Sequence, residues 1–110
     1  MQDFNDYQDL AMTTAVYPQQ GSNLAYPALG LNGEAGEVAE KVKKIIRDKG
    51  GVLDEEDRQA LKKELGDVLW YVAAMCSEVG LRMGEVAELN ISKLRDRQTR
   101  DRLHGSGDER

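Results

Sequence analysis

Gly33-Glu34-Ala35-Gly36-Glu37-Val38-Ala39-Glu40 and, beyond a Gly50-Gly51 break, Glu64-Leu65-Gly66-Asp67 are the two segments whose reading decides the fold. Glu34 and Glu37 are three residues apart, and so are Glu64 and Asp67. On a helix that spacing puts both carboxylates of a pair on one face, where like charges repel. Each residue advances about 100° around a helix. With Glu34 at zero, Ile45, Val38, Val42, Ala35, Ile46 and Ala39 fall in an arc of roughly 20–140°. With Glu64 at zero, Met75, Val68, Leu61, Val72, Leu65, Cys76 and Leu69 fill the same arc of roughly 20–140°. Each acidic pair therefore flanks an apolar stripe on the same rotational side. The short connection predicts antiparallel neighbours. Both pairs then lie ~16 Å from the turn, and four carboxylates face one groove.

Oxygen ligands in such a cluster suit a hard divalent cation, which would relieve the repulsion at both places. Two other readings stay open on pattern alone. A di-iron carboxylate bundle normally uses Glu-x-x-His pairs, and no His lies in a predicted core helix. The acids could also form a solvated helix edge with no ligand.

Composition narrows the class. The chain has 110 residues, enough for one domain, and a net charge of −5. That charge argues against nucleic acid as a partner. No apolar run is long enough to span a membrane, and no signal-peptide pattern opens the chain. A single cysteine, Cys76, sits within an apolar stripe and reads as a buried hydrophobe. The expected location is the cytoplasm, since no disulfide framework exists. One histidine, His104, rules out zinc sites built on His and Cys.

Outward from the acidic segments, the sequence reads as all-α, with four helices and no strand pattern. Asp3 to about Val16 forms the first helix, with Asp3 or Asn5 as cap. Tyr17 to Asn23 is a loop rich in Pro, Gly, Ser and Asn. The second helix runs from Ala25 to about Arg47, with Pro27 in its first turn. Gly30, Gly33 and Gly36 each cost roughly 1 kcal/mol inside it, so close approach of a backbone or ligand is expected there. Lys41, Lys43, Lys44 and Arg47 read as dipole-stabilising cations on a solvated face, or as contacts to phosphates. Asp54 caps the third helix, which continues to about Val79. The fourth runs from Met83 or Gly84 to about Arg97, with Val86, Leu89 and Leu94 inward. Residues 1–97 make the helical domain, and the charged tail 98–110 reads as disordered.

No Gly-rich phosphate cradle and no Ser-His-Asp or Cys-His nucleophile set is present, so an enzyme of this composition would use water.

Gly30 to Lys41, together with Lys62-Lys63-Glu64-Leu65-Gly66-Asp67-Val68-Leu69-Trp70-Tyr71, resembles the MazG-like nucleoside triphosphate pyrophosphohydrolases. Tyr7-Gln8, Ala15-Val16-Tyr17-Pro18 and Asn90-Ile91-Ser92-Lys93-Leu94 are also similar to that family. The resemblance implies a four-helix MazG-like bundle, assembled as a dimer or a dimer of dimers. It implies Mg²⁺-dependent hydrolysis of a (deoxy)nucleoside triphosphate to monophosphate and pyrophosphate, with Mn²⁺ as a possible substitute. By position it makes Glu34, Glu37, Glu64 and Asp67 the metal ligands, and Glu37 the group that activates water. Tyr71, Asn90 and Lys93 match positions that reach substrate. Gly33 departs from the family's E-E-x-x-E, whose first Glu it replaces. The alternatives are a regulator that binds Mg²⁺–nucleotide without turnover, or a helical dimerisation module.

Overall fold

The computed structural model describes residues 1–101 and 104–110. Its helices are α1 (Phe4–Met12), α2 (Ala25–Lys49), α3 (Glu55–Glu78) and α4 (Met83–Thr99). No strand occurs among the described residues, so the fold is all-α.

Helix ends follow from capping. The Asp3 carboxylate accepts from the Asp6 N–H at 2.8 Å and starts α1. The helix stops earlier than its apolar spacing suggests. The hydroxyls of Thr13 and Thr14 bond back to the carbonyls of Leu10 and Ala11 at 2.6 and 2.7 Å, and the chain turns away. Gly50, at φ 62°, ends α2 in the left-handed conformation. Asp54 and Asp57 form a reciprocal capping box at the start of α3.

α2 and α3 pair antiparallel. Lys49 bonds Asp57 at 2.8 Å near the turn, and Lys41 lies 3.7 Å from Glu64 further along. Beyond that Glu34 meets Asp67, and Gly30 meets Tyr71. Each step up one helix is a step down the other, as the matched heights of the acidic pairs require.

α1 crosses the C-terminal half of α3. Gln8, only 2 % exposed, ties three elements together. Its Nε2 donates to Ser77 Oγ and to the Leu81 carbonyl, both at 3.0 Å, and its Oε1 accepts from the Met83 N–H at 2.8 Å. A buried amide with every contact filled fixes the angle at which α4 leaves α3. The core below it consists of Ala11, Ala73, Cys76 and Met83, flanked by Tyr7, Met12, Leu69, Trp70 and Val72.

Two features of the packing differ from the helical wheel. The row of α2 turned toward α3 is Pro27, Gly30, Leu31, Glu34, Val38, Lys41 and Ile45. Glu34 thus lies within the packed row rather than at its margin. Ala35, Ala39, Val42 and Ile46, also part of the apolar arc, stay exposed. On α4 the packed row is Met83, Gly84, Ala87, Lys93 and Arg97, and the expected inward residues Val86, Leu89 and Leu94 are exposed. The reason is geometric: α2 packs on α3 and on no other helix, so half of a wide apolar arc has nothing to cover it.

The consequence is a large surface. The chain exposes 7953 Å², against about 6,100 Å² expected for a folded monomer of this mass. Its radius of gyration is 16.7 Å, against about 13 Å expected. Leu29 (73 %), Ile46 (61 %) and Leu89 (69 %) account for part of the excess.

Candidate metal centre

Where α2 and α3 run side by side, three carboxylates converge. Glu34, Glu64 and Asp67 each offer an oxygen, and these oxygens lie within 4.8 Å of one another. Glu34 and Glu64 are half-buried and Asp67 is exposed, so the cluster opens to solvent on one side. Glu37, one turn beyond Glu34, is exposed and stands outside this set of three.

The electrostatics record the crowding. The Glu34 carboxyl holds its proton above the ordinary carboxylate range. Partial desolvation is the main cause, followed by the charges of Asp67 and Glu64, a hydrogen bond with Glu64, and the charge of Glu37. Lys41 is the cation at hand, 3.7 Å from Glu64. The other basic residues of α2 are engaged elsewhere: Lys43 and Lys44 with Glu40, Arg47 with Asp48. They behave as the solvated dipole-stabilising face.

The chemistry of the donor set fits a hard divalent cation. All three groups are carboxylates, no sulfur or imidazole intrudes, and the site is too crowded for three free negative charges.

Beside the cluster, a pocket is lined by Thr14, Glu34, Asp67, Trp70 and Tyr71. Its aromatic wall is held rigidly. The Trp70 indole N–H donates to Thr14 Oγ1 at 2.9 Å and to the Ala11 carbonyl at 3.2 Å. Trp70 and Tyr71 pack edge to face at 5.0 Å. Burial, followed by a hydrogen bond with Tyr26, raises the pKa of the Tyr71 hydroxyl. Tyr26 stacks on Tyr17 at 4.7 Å.

Gly30 makes this possible. A Cβ there would sit 2.1 Å from Tyr71 Cε1, so only glycine lets the ring lie against α2. The expected close approach is met here, but not at Gly33 or Gly36, where added Cβ atoms would meet open space.

The loop before α2 is clamped from α3. The Glu78 carboxylate accepts from the Gly21 N–H at 2.9 Å and the Asn23 N–H at 3.2 Å. It also accepts from the Tyr17 hydroxyl, whose pKa is pushed up to about 12, chiefly by burial. Asn23 Oδ1 in turn accepts from the Tyr26 N–H at 3.0 Å.

The structure therefore brings together Glu34, Glu64, Asp67 and Tyr71, with Glu37 one turn away. Asn90 and Lys93 lie on α4, which does not pack along α2. Asn90 is exposed, and Lys93 pairs with Asp108 at 2.6 Å. Thr14 and Glu78 escaped the sequence reading. Thr14 falls on the apolar spacing of the first helix. Glu78 carries no local signal, since its loop contacts span more than fifty residues of sequence.

A family model for the MazG nucleotide pyrophosphohydrolase domain matches residues 23–100. The chain is 47 % identical over 109 residues to the Gene 37 protein of Mycobacterium phage L5, covering 94 % of this chain and 96 % of that relative. No solved structure gives a significant match. With the family model spanning both acidic segments, Trp70 and Tyr71 of the aromatic wall and all of α4, this chain belongs to the MazG nucleotide pyrophosphohydrolase domain family.

Proposed function

We propose that the chain hydrolyses a (deoxy)nucleoside triphosphate to the monophosphate and pyrophosphate, using a divalent cation, Mg²⁺ by preference. The observation that carries this reading is the convergence of Glu34, Glu64 and Asp67 oxygens within 4.8 Å beside an aromatic-walled pocket.

In this reading Glu34, Glu64 and Asp67 hold the cation, with Glu37 completing the set from one turn away. The ion, when bound, supplies positive charge against the phosphates and acidity to a coordinated water. The protein's own groups do the rest. In this reading the solvent-exposed Glu37 takes the proton of an incoming water. Trp70 and Tyr71 offer flat apolar surface to a base or sugar, with ring orientations fixed by Thr14 and Tyr26. Lys41 neutralises part of the acidic charge and repels none of the phosphates. Asn90 and Lys93 serve as substrate contacts from α4.

The same reading includes a homo-oligomer, a dimer or a pair of dimers. The surplus of roughly 1,900 Å² over a typical monomer is of the size that stable interfaces bury. The uncovered apolar faces of α2 and α4 are where a second copy would seat. Light scattering across a concentration series reads the assembly directly.

The test of the activity is pyrophosphate release from a panel of nucleoside and deoxynucleoside triphosphates, with and without Mg²⁺ and with Glu37→Ala. Mg²⁺-dependent formation of both products, lost in the variant, is the expected result. Absence of turnover across the panel would overturn it, and a nucleotide-induced melting shift would then mark a binding regulator.

A further inference from the structure

The C-terminal tail returns to α4 and places one carboxylate on two cations. Asp108 Oδ1 lies 2.6 Å from Lys93 Nζ and 3.2 Å from an Arg97 guanidinium nitrogen. That nitrogen also donates to the Asp108 carbonyl. Lys93 and Arg97 are one turn apart on α4, so two like charges share a face and need an anion between them.

Exposure separates the fixed partners from the exchangeable one. The Arg97 side chain is 6 % exposed and that of Lys93 33 %, whereas that of Asp108 is 74 % exposed. With the tail in place the cations are largely covered, while the anion still faces solvent. Asp108 is, among the described residues, the one carboxylate within ion-pair distance of either cation. Neighbouring Arg100 is engaged with Asp96 at 2.8 Å.

The turn that delivers Asp108 depends on glycine. Gly105 and Gly107 hold φ of 129° and 87°. Arg110 donates to the Gly107 carbonyl at 2.7 Å, and Arg100 donates to the Arg110 carbonyl at 2.6 Å. The returning tail is thus tied at both ends to α4 and to itself.

We infer that Lys93 and Arg97 form a phosphate-binding subsite, filled in the free protein by the chain's own Asp108, which a phosphate group of nucleotide or pyrophosphate displaces. A guanidinium beside an ammonium suits a phosphate as well as a carboxylate, because the Arg fork matches both geometries. A phosphate brings more charge than Asp108, so exchange favours the ligand. The inference rests on the proposed function for the identity of the ligand, and it makes the tail a self-inhibitory strap.

The experiment uses the full chain as wild type, Asp108→Asn and Gly107→Ala, with folding checked by melting. Pyrophosphate binding is measured by calorimetry, independently of turnover, and KM and kcat are measured separately. For a strap closed about nine-tenths of the time, either variant binds pyrophosphate about tenfold more tightly. KM falls with it while kcat holds. A change in pyrophosphate affinity alone assigns the subsite to the product, and a matching fall in KM assigns it to the substrate. Adding Lys93→Ala to Asp108→Asn removes the gain. Unchanged pyrophosphate affinity in both variants overturns the strap even if hydrolysis is established. Tighter binding without any turnover retains the strap and overturns the proposed function.

Discussion

The α2–α3 pair carries two clusters of acids, one at the turn and one midway along α3, and the two are compensated differently. Near the turn, Asp54 and Asp57 face the Lys49 ammonium at 3.0 and 2.8 Å and cap α3 between them. Three turns away, Glu34, Glu64 and Asp67 crowd together with Lys41 at 3.7 Å from only one of them. At the first cluster the capping bond and Lys49 hold the Asp54 carboxyl below its ordinary range. At the second, crowding holds Glu34 above its own. The acids that close α3 have their partners within the chain, whereas the crowded acids have only Lys41 beside one of them. The opposite shifts of Asp54 and Glu34 follow from that difference in surroundings.

The largest effect should come from breaking the crowded cluster. Glu64→Gln or Asp67→Asn should lower turnover by about 100-fold or more, measured by pyrophosphate release, while the far-ultraviolet dichroism stays that of the wild type. The pocket wall comes next. Gly30→Ala would set a methyl group 2.1 Å from the Tyr71 ring. It should cost about 1–3 kcal/mol of stability in denaturant melts and weaken nucleotide binding as Tyr71 is displaced.

Acid titration of stability sharpens the contrast further. Asp54 has its pKa lowered, so its contribution is present above its ordinary 3.8 and is lost as pH falls through the lower folded value. Glu34 has its pKa raised, so its contribution is present at low pH and is lost as pH rises through a value above 4.5. Without divalent ions, Glu34→Gln should therefore melt above the wild type at neutral pH while losing activity. Asp54→Asn should melt lower, and its deficit should shrink in acid. The smallest effect belongs to Lys49→Met, a modest fall in melting temperature with kcat unchanged, since its partners sit at an exposed helix end.

Much of this comparison was legible in the sequence. The three-residue spacing of Glu34/Glu37 and Glu64/Asp67 and their matched distance from Gly50-Gly51 indicated facing carboxylates on antiparallel helices. Asp54 announced itself as a cap followed by three acids. What escaped depends on contacts that periodicity does not encode. The wheel gave α2 one apolar arc, but a helix with a single intrachain neighbour buries only half of it, and Val42 and Ile46 remain outside. On α4, Val86, Leu89 and Leu94 also remain outside, on the side turned away from α1 and α3. Thr14 enters the pocket only because its hydroxyl meets the Trp70 indole across 56 residues. Gln8 carried a family likeness, but its burial could not be read from a polar letter in an amphipathic helix.

Manganese binding followed by paramagnetic resonance tests the central claim most directly, comparing wild type with Asp67→Asn at the crowded cluster and Asp57→Asn at the compensated one. Wild type and Asp57→Asn should bind Mn²⁺ alike, and Asp67→Asn should lose it. Equal binding by the two variants, or none by the wild type, would contradict the claim that Glu34, Glu64 and Asp67 form the metal centre.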